Sequence, residues 1–153
     1  MEYVVAAAGT HTVEVCREAL GDRAGLDFRV GSVADTGFDC DAVILSSPLA
    51  HERYGGVPIP GSAQLLVNHR GDGAPPVVIA TPVVPWEEPA RHLAAAEAEV
   101  RTHRILAACV DAFTAGRSVN APGPRILIHL EGAGIDRPEL SPTIGGIARL
   151  LAD

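Results

Sequence analysis

Residues 41–48 read "DAVILSSP": one acid, four apolar residues in a row, then two serines and a proline. Ala42, Val43, Ile44 and Leu45 place apolar side chains on both faces of an extended segment. Only a strand covered on both sides, typical of a parallel sheet, tolerates that. The strand must stop at Ser46-Ser47-Pro48. Three further runs read the same way: Tyr3–Ala8, Pro75–Thr81 ("PPVVIAT") and Ile126–Leu130. Leu26–Val33 alternates apolar and polar residues, as a half-buried strand does.

Between these strands lie helical patterns. Val13, Cys16 and Leu20 share one face of a helix predicted over Thr12–Leu20, with Thr10 or Thr12 as its cap and Gly21 past its end. Glu87–Phe113 is the longest helical segment. Pro89 stands in its first turn, and Leu93, Ala96, Val100, Leu106, Cys109, Val110 and Phe113 form its apolar stripe. Ser141-Pro142 opens a last helix as cap and first residue, running through Leu151. Gly145-Gly146 lowers its helix propensity and implies close packing against a strand or a ligand. Residues 48–61, "PLAHERYGGVPIPG", read as a long irregular loop, and Ser62–Asn68 as a short helix.

Alternating buried strands and helices imply one domain over residues 1–153. It is an α/β fold of three layers, α/β/α, on a mostly parallel mixed sheet. In such sheets ligands bind beyond the carboxyl ends of the strands. Here those ends carry Gly9-Thr10, Ser46-Ser47-Pro48, Thr81-Pro82 and Glu131-Gly132-Ala133-Gly134.

The formal net charge is −7, and all twelve basic residues are arginine. An acidic surface argues against nucleic-acid backbone binding, yet leaves room for a small anion held locally by backbone N–H groups. No apolar run reaches the length of a membrane span, and the first residues lack the basic region of a signal peptide. The expectation is therefore a cytoplasmic protein with no membrane contact. Cys16, Cys40 and Cys109 have neither disulfide nor zinc spacing and are expected to pack as small buried residues. His92 and His103 are too far apart along one helix to share a metal. No metal and no resident cofactor is expected, and the oligomeric state is left open. Gly9-Thr10 starts no G-x-G-x-x-G, which argues against a dehydrogenase-type nucleotide fold. A flavodoxin-like topology remains an alternative, without the Ser/Thr-rich phosphate loop it would want.

With its loops placed in this order, the chain resembles a macro domain, most closely the divergent macro-like group. "FRVGSVADTGFDCDAVIL" (28–45) is similar to that family's strand, Gly-Asp-Ile turn and Asp-Ala-Ile-Val strand. "YGGV" (54–57) is similar to its Gly-Gly-Gly-Val loop, "PPVVIATPVVPW" (75–86) to the strand and turn before its long helix, and "GAGI" (132–135) to its phosphate loop. The resemblance implies a site for an ADP-ribose-like small molecule. Ser32 and Val33 would lie at the adenine, and Ser46 and Ser47 at the end of the central strand. Two loops, Tyr54-Gly55-Gly56-Val57 and Gly132-Ala133-Gly134-Ile135, would clamp the diphosphate. Ser32 stands where the family has an adenine-contacting Asp, and Pro48 where it has a ribose-positioning Asn. If the chain hydrolyses an ADP-ribosyl or NAD-derived compound, Glu131, Asp136 or His51 is the candidate acid or base. Arg53 is a candidate phosphate contact, and Tyr54 and Trp86 are candidate stacking rings. A non-catalytic ligand-binding module and a partner-binding scaffold with a degenerate site are the alternatives.

Overall fold

In the computed structural model, residues 1–83, 93–116, 124–130 and 140–153 are described. Their elements are β1 (Glu2–Ala7), α1 (Thr10–Leu20), β2 (Leu26–Val30), α2 (Val33–Thr36), β3 (Ala42–Leu45), α3 (Ser47–Tyr54), β4 (Gln64–Val67), β5 (Val77–Ala80), α4 (Ala95–Ala115), β6 (Arg125–His129) and α5 (Leu140–Ala152). The six strands form one mixed sheet in the order β2-β1-β6-β3-β5-β4. Only β4 runs antiparallel, paired with β5. The all-apolar β3 sits inside the sheet between β6 and β5, as its composition requires.

Parallel register partners point to the same face, which separates two cores. Val5, Ala7, Ile44, Ile79, Ile126 and Ile128 face α1, α4 and α5. Val4, Ala6, Val43, Leu45, Val78, Ala80 and Leu127 face the other way. There they meet Ala50, Leu49 and Tyr54 of α3 and Val33 of α2. One face thus carries three long helices and the other two short ones. Full burial of a Leu such as Leu106 or Leu127 contributes roughly 1.5–3 kcal/mol.

Several expectations are corrected. Residues 48–61 are not irregular throughout, since α3 occupies Ser47–Tyr54. Pro48 is at the start of that helix, where its missing N–H costs nothing, so a helix begins where an irregular loop was expected. Gly55 ends it with φ 84°, a conformation few other residues adopt. Ser62–Asn68 is not a helix but contains β4, whose short apolar run is equally compatible with either element until β5 pairs with it. The second strand stops at Val30, because Ser32 caps α2: its Oγ accepts from the Asp35 amide, and the Asp35 carboxylate accepts from the Ser32 amide. Helix α1 starts at Thr10 with Gly9 as its uncapped N-cap, so neither threonine caps it.

Helix α4 buries Ala98, Leu106, Cys109 and Phe113, while Val100 is exposed. The helix is turned to meet α5. A Cβ at Gly146 would lie 2.7 Å from Thr102 Cγ2 and 3.0 Å from the His103 amide nitrogen. The glycine pair therefore allows helix-on-helix contact, not contact with a strand or ligand. Ser141 lies within α5, whose first residue is Leu140, and so is not its cap. The helix expected over Glu87–Phe113 starts only at Ala95: Leu93 and Ala94 are not helical, and Ala94 is its N-cap with extended backbone, so Leu93 is not part of its apolar stripe. Residues 84–92, most of the "RSVNAPGPR" loop and residues 131–139 lie outside the described residues.

Candidate functional site

The short-helix face carries a cleft of about 400 Å³ that runs from the carboxyl ends of β2 and β6 to the β4–β5 hairpin loop at the amino end of β5. Among the described residues it is lined by Ser32, Val33, Ala34, Leu49, Arg53, Tyr54, Asp72, Ala74 and His129. Its size suits a small-molecule ligand. Each wall has a local cause. Ser32–Ala34 form the first turn of α2, fixed by the capping box. Leu49, Arg53 and Tyr54 lie on α3, where residues four apart share a side. Asp72 and Ala74 belong to the loop joining the β4–β5 hairpin. His129 ends β6 on the face of Ala6, its register partner.

The hairpin loop is strapped to α3. The Tyr54 hydroxyl donates to Asp72 Oδ2 at 2.7 Å, and Arg70 Nη1 donates to the Arg53 carbonyl at 3.4 Å. Asn68 Nδ2 and the Ala74 amide donate to Asp72 Oδ1 at 2.8 and 3.1 Å. These donors, Tyr54 first, hold the Asp72 carboxyl down at about 2. Burial, and then the hydrogen bond to Asp72, push the Tyr54 phenol up to about 12.

Arg53 differs from the other described arginines. Arg17, Arg29, Arg125 and Arg149 pair with carboxylates, and Arg23 and Arg70 donate to carbonyls. Arg101 and Arg104 also have partners. The Arg53 guanidinium makes no hydrogen bond or ion pair among the described residues, and it lines the cleft. A second cavity, of about 190 Å³ between Glu2, Asp27, Arg29 and Arg125, shows the contrast. There Arg29 is bound to Asp27 and Asp39, and Arg125 to Glu2 and Asp39, so its charges are already matched.

Of the expected site residues, Ser32, Val33, Tyr54 and Arg53 come together in the cleft. Ser46 and Ser47 open α3 but do not line it; the Ser47 amide donates to Thr81 Oγ1 at 3.0 Å. Gly55, Gly56 and Val57 terminate α3 and do not line it either. His51 also stands apart. Its Nδ1 donates to the Gly55 carbonyl at 2.9 Å, since a carbonyl can only accept, and its Nε2 is buried without a partner. Glu131, Gly132, Ala133, Gly134, Ile135 and Asp136 lie outside the described residues, as does Trp86. Leu49, Asp72 and Ala74 escaped the sequence reading; the one usable signal was the Gly-Asp-Gly turn at 71–73.

His129 is buried, as a packed strand histidine should be, and Nε2 donates to the Gly31 carbonyl at 2.8 Å. All three cysteines are buried and unlinked. Burial pushes the Cys40 thiol up to about 11 and the Cys109 thiol to about 12, which disfavours the nucleophilic thiolate. Among the described residues, no group of three His, Cys, Asp or Glu side chains is arranged to hold a metal ion. Nor is any helix there long and apolar enough to cross a membrane. No protein-family model matches the chain, and no curated protein matches it.

Proposed function

We propose that the chain is a macro-like module whose cleft binds an ADP-ribosyl or related ribosyl-diphosphate ligand. The observation that carries this reading is the unpaired Arg53 guanidinium in a cleft that also holds Ser32, Val33 and Tyr54. An unmatched cation in a protein of net charge −7 is a local anion anchor. The position of His129 adds support. It ends β6 in the cleft, and the Gly132-Ala133-Gly134 segment follows within five residues. Two of the motifs that the macro resemblance pairs, 32–33 and 132–135, therefore follow β2 and β6, strands separated only by β1 and joined across it by the His129–Gly31 hydrogen bond. Tyr54 gives a ring for stacking, with its hydroxyl already engaged.

Binding is the function we assign. Of the three candidate bases, His51 is committed to the end of α3. The test is calorimetric titration of ADP-ribose into the wild type and into Gly134→Glu, which puts a carboxylate into the glycine loop. Saturable binding that the substitution abolishes supports the reading. A folded wild type that takes up no ADP-ribose refutes it.

A further inference from the structure

Two charges share the cleft without neutralising each other. Arg53 and Asp72 both line it, yet they form no ion pair. Between them stands Tyr54, adjacent to Arg53 in sequence and bonded through its hydroxyl to Asp72. Asp72 has three donors in place: Tyr54 on Oδ2, and Asn68 and Ala74 on Oδ1. A carboxylate offers roughly four lone-pair positions, so Oδ2 keeps room for one more donor. The fixed carboxylate stays ionised across the physiological range, which repels a phosphate and attracts a hydroxyl. The free guanidinium does the opposite.

A ligand that satisfies both therefore carries an anion at one end and a hydroxyl donor at the other. Taking the cleft to be the ligand site proposed above, we infer that its hairpin wall is a sugar-phosphate subsite. Asp72 accepts a hydrogen bond from a sugar hydroxyl, and Arg53 takes the phosphate attached to that sugar. Tyr54 and Asn68 are positioning residues, which hold the carboxylate in place and do not themselves recognise the hydroxyl.

The experiment uses the full chain and three probes: ribose 5-phosphate, inorganic pyrophosphate and ADP-ribose. Affinities are measured by titration for the wild type, Arg53→Gln, Asp72→Asn and Tyr54→Phe, each checked for folding by circular dichroism. Ribose 5-phosphate is expected to lose about tenfold or more in affinity with either Arg53→Gln or Asp72→Asn. Pyrophosphate should weaken with Arg53→Gln and bind Asp72→Asn as well as, or better than, the wild type. Tyr54→Phe should weaken ribose 5-phosphate without strengthening pyrophosphate, because the carboxylate remains but is no longer held. Equal binding of ribose 5-phosphate by wild type and Asp72→Asn overturns the subsite, and if ADP-ribose still binds, the cleft reading survives alone. Asp72-dependent binding of ribose 5-phosphate without any binding of ADP-ribose keeps the subsite and removes the ADP-ribosyl reading. A wild type that binds neither ribose 5-phosphate nor ADP-ribose overturns both.

Discussion

His129, the last residue of β6, donates from Nε2 to the carbonyl of Gly31, just beyond β2, at 2.8 Å. The two strands are not neighbours, since β1 lies between them. The bond crosses above Ala6, the register partner of both His129 and Arg29 and a small side chain that leaves the imidazole room. It ties together the exits of two strands that frame the cleft. His129→Leu removes a part-buried hydrogen bond made by a buried side chain and should cost about 1 kcal/mol or more of stability, read by urea unfolding. A loss below about 0.5 kcal/mol would show that the bond is not needed to hold the two exits.

Arg53 has the reverse profile. Its guanidinium touches no partner among the described residues, so Arg53→Gln should leave stability within about 0.5 kcal/mol of the wild type. Anion affinity should fall all the same. A variant that is markedly destabilised would mean that Arg53 serves the fold and not a ligand.

The strap between Tyr54 and Asp72 makes a pH prediction of definite sign. Tyr54 has its folded pKa raised from 10.0 to about 12, so its contribution is full below pH 10 and lost as pH rises toward 12. Asp72 has its folded pKa lowered from 3.8 to about 2, so its contribution is full above pH 3.8 and lost as pH falls toward 2. Tyr54→Phe should therefore be less stable than the wild type by about 1 kcal/mol near neutrality. That gap should narrow at both extremes. Denaturant unfolding across the pH range checks it, and a gap that widened above pH 10 would contradict the hydrogen bond.

The glycine pair in α5 should split under substitution. At Gly145 a Cβ would meet the Glu99 side chain, whose carboxyl carbon lies at 2.5 Å and can swing away. At Gly146 it would meet Thr102 and the backbone of His103, which cannot. Gly145→Ala should be close to neutral, with gained helix propensity offsetting the disturbed Glu99–Arg149 pair. Gly146→Ala should destabilise by about 1–3 kcal/mol through overpacking. Thermal unfolding of the two variants separates them, and equal melting temperatures would mean that α4 and α5 are not this close.

The strands that carry the fold were legible because burial on both faces leaves an unmistakable apolar run: Ala42–Leu45, Val77–Ala80 and most of β6 are buried throughout or nearly so. What escaped was local and ambiguous. Pro48 marked the end of a strand and the start of a proline-rich stretch, and nothing local showed that it stands in the first turn of α3. Gln64–Val67 is half-buried and four residues long, too short for periodicity to separate strand from helix. That misreading hid the site's far wall. Once β4 is seen as one arm of a hairpin, Asp72 sits at its turn, opposite Tyr54, a contact eighteen positions apart that no local pattern encodes. Ser32, Val33 and Tyr54 were singled out because they lie within quoted motifs, and Arg53 because it stands in the 48–61 stretch just before one; all four line the cleft. Asp72, Ala74 and Leu49 were not, because only the tertiary fold brings them there.

Amide chemical-shift mapping with ADP-ribose decides whether this cleft is a ligand site. Saturable shifts are expected at Ser32, Val33, Ala34, Tyr54, Asp72 and Ala74, with the α4–α5 contact at Thr102 and Gly146 unmoved. Shifts confined to other surfaces, or none at saturating ligand, would contradict a ligand site there.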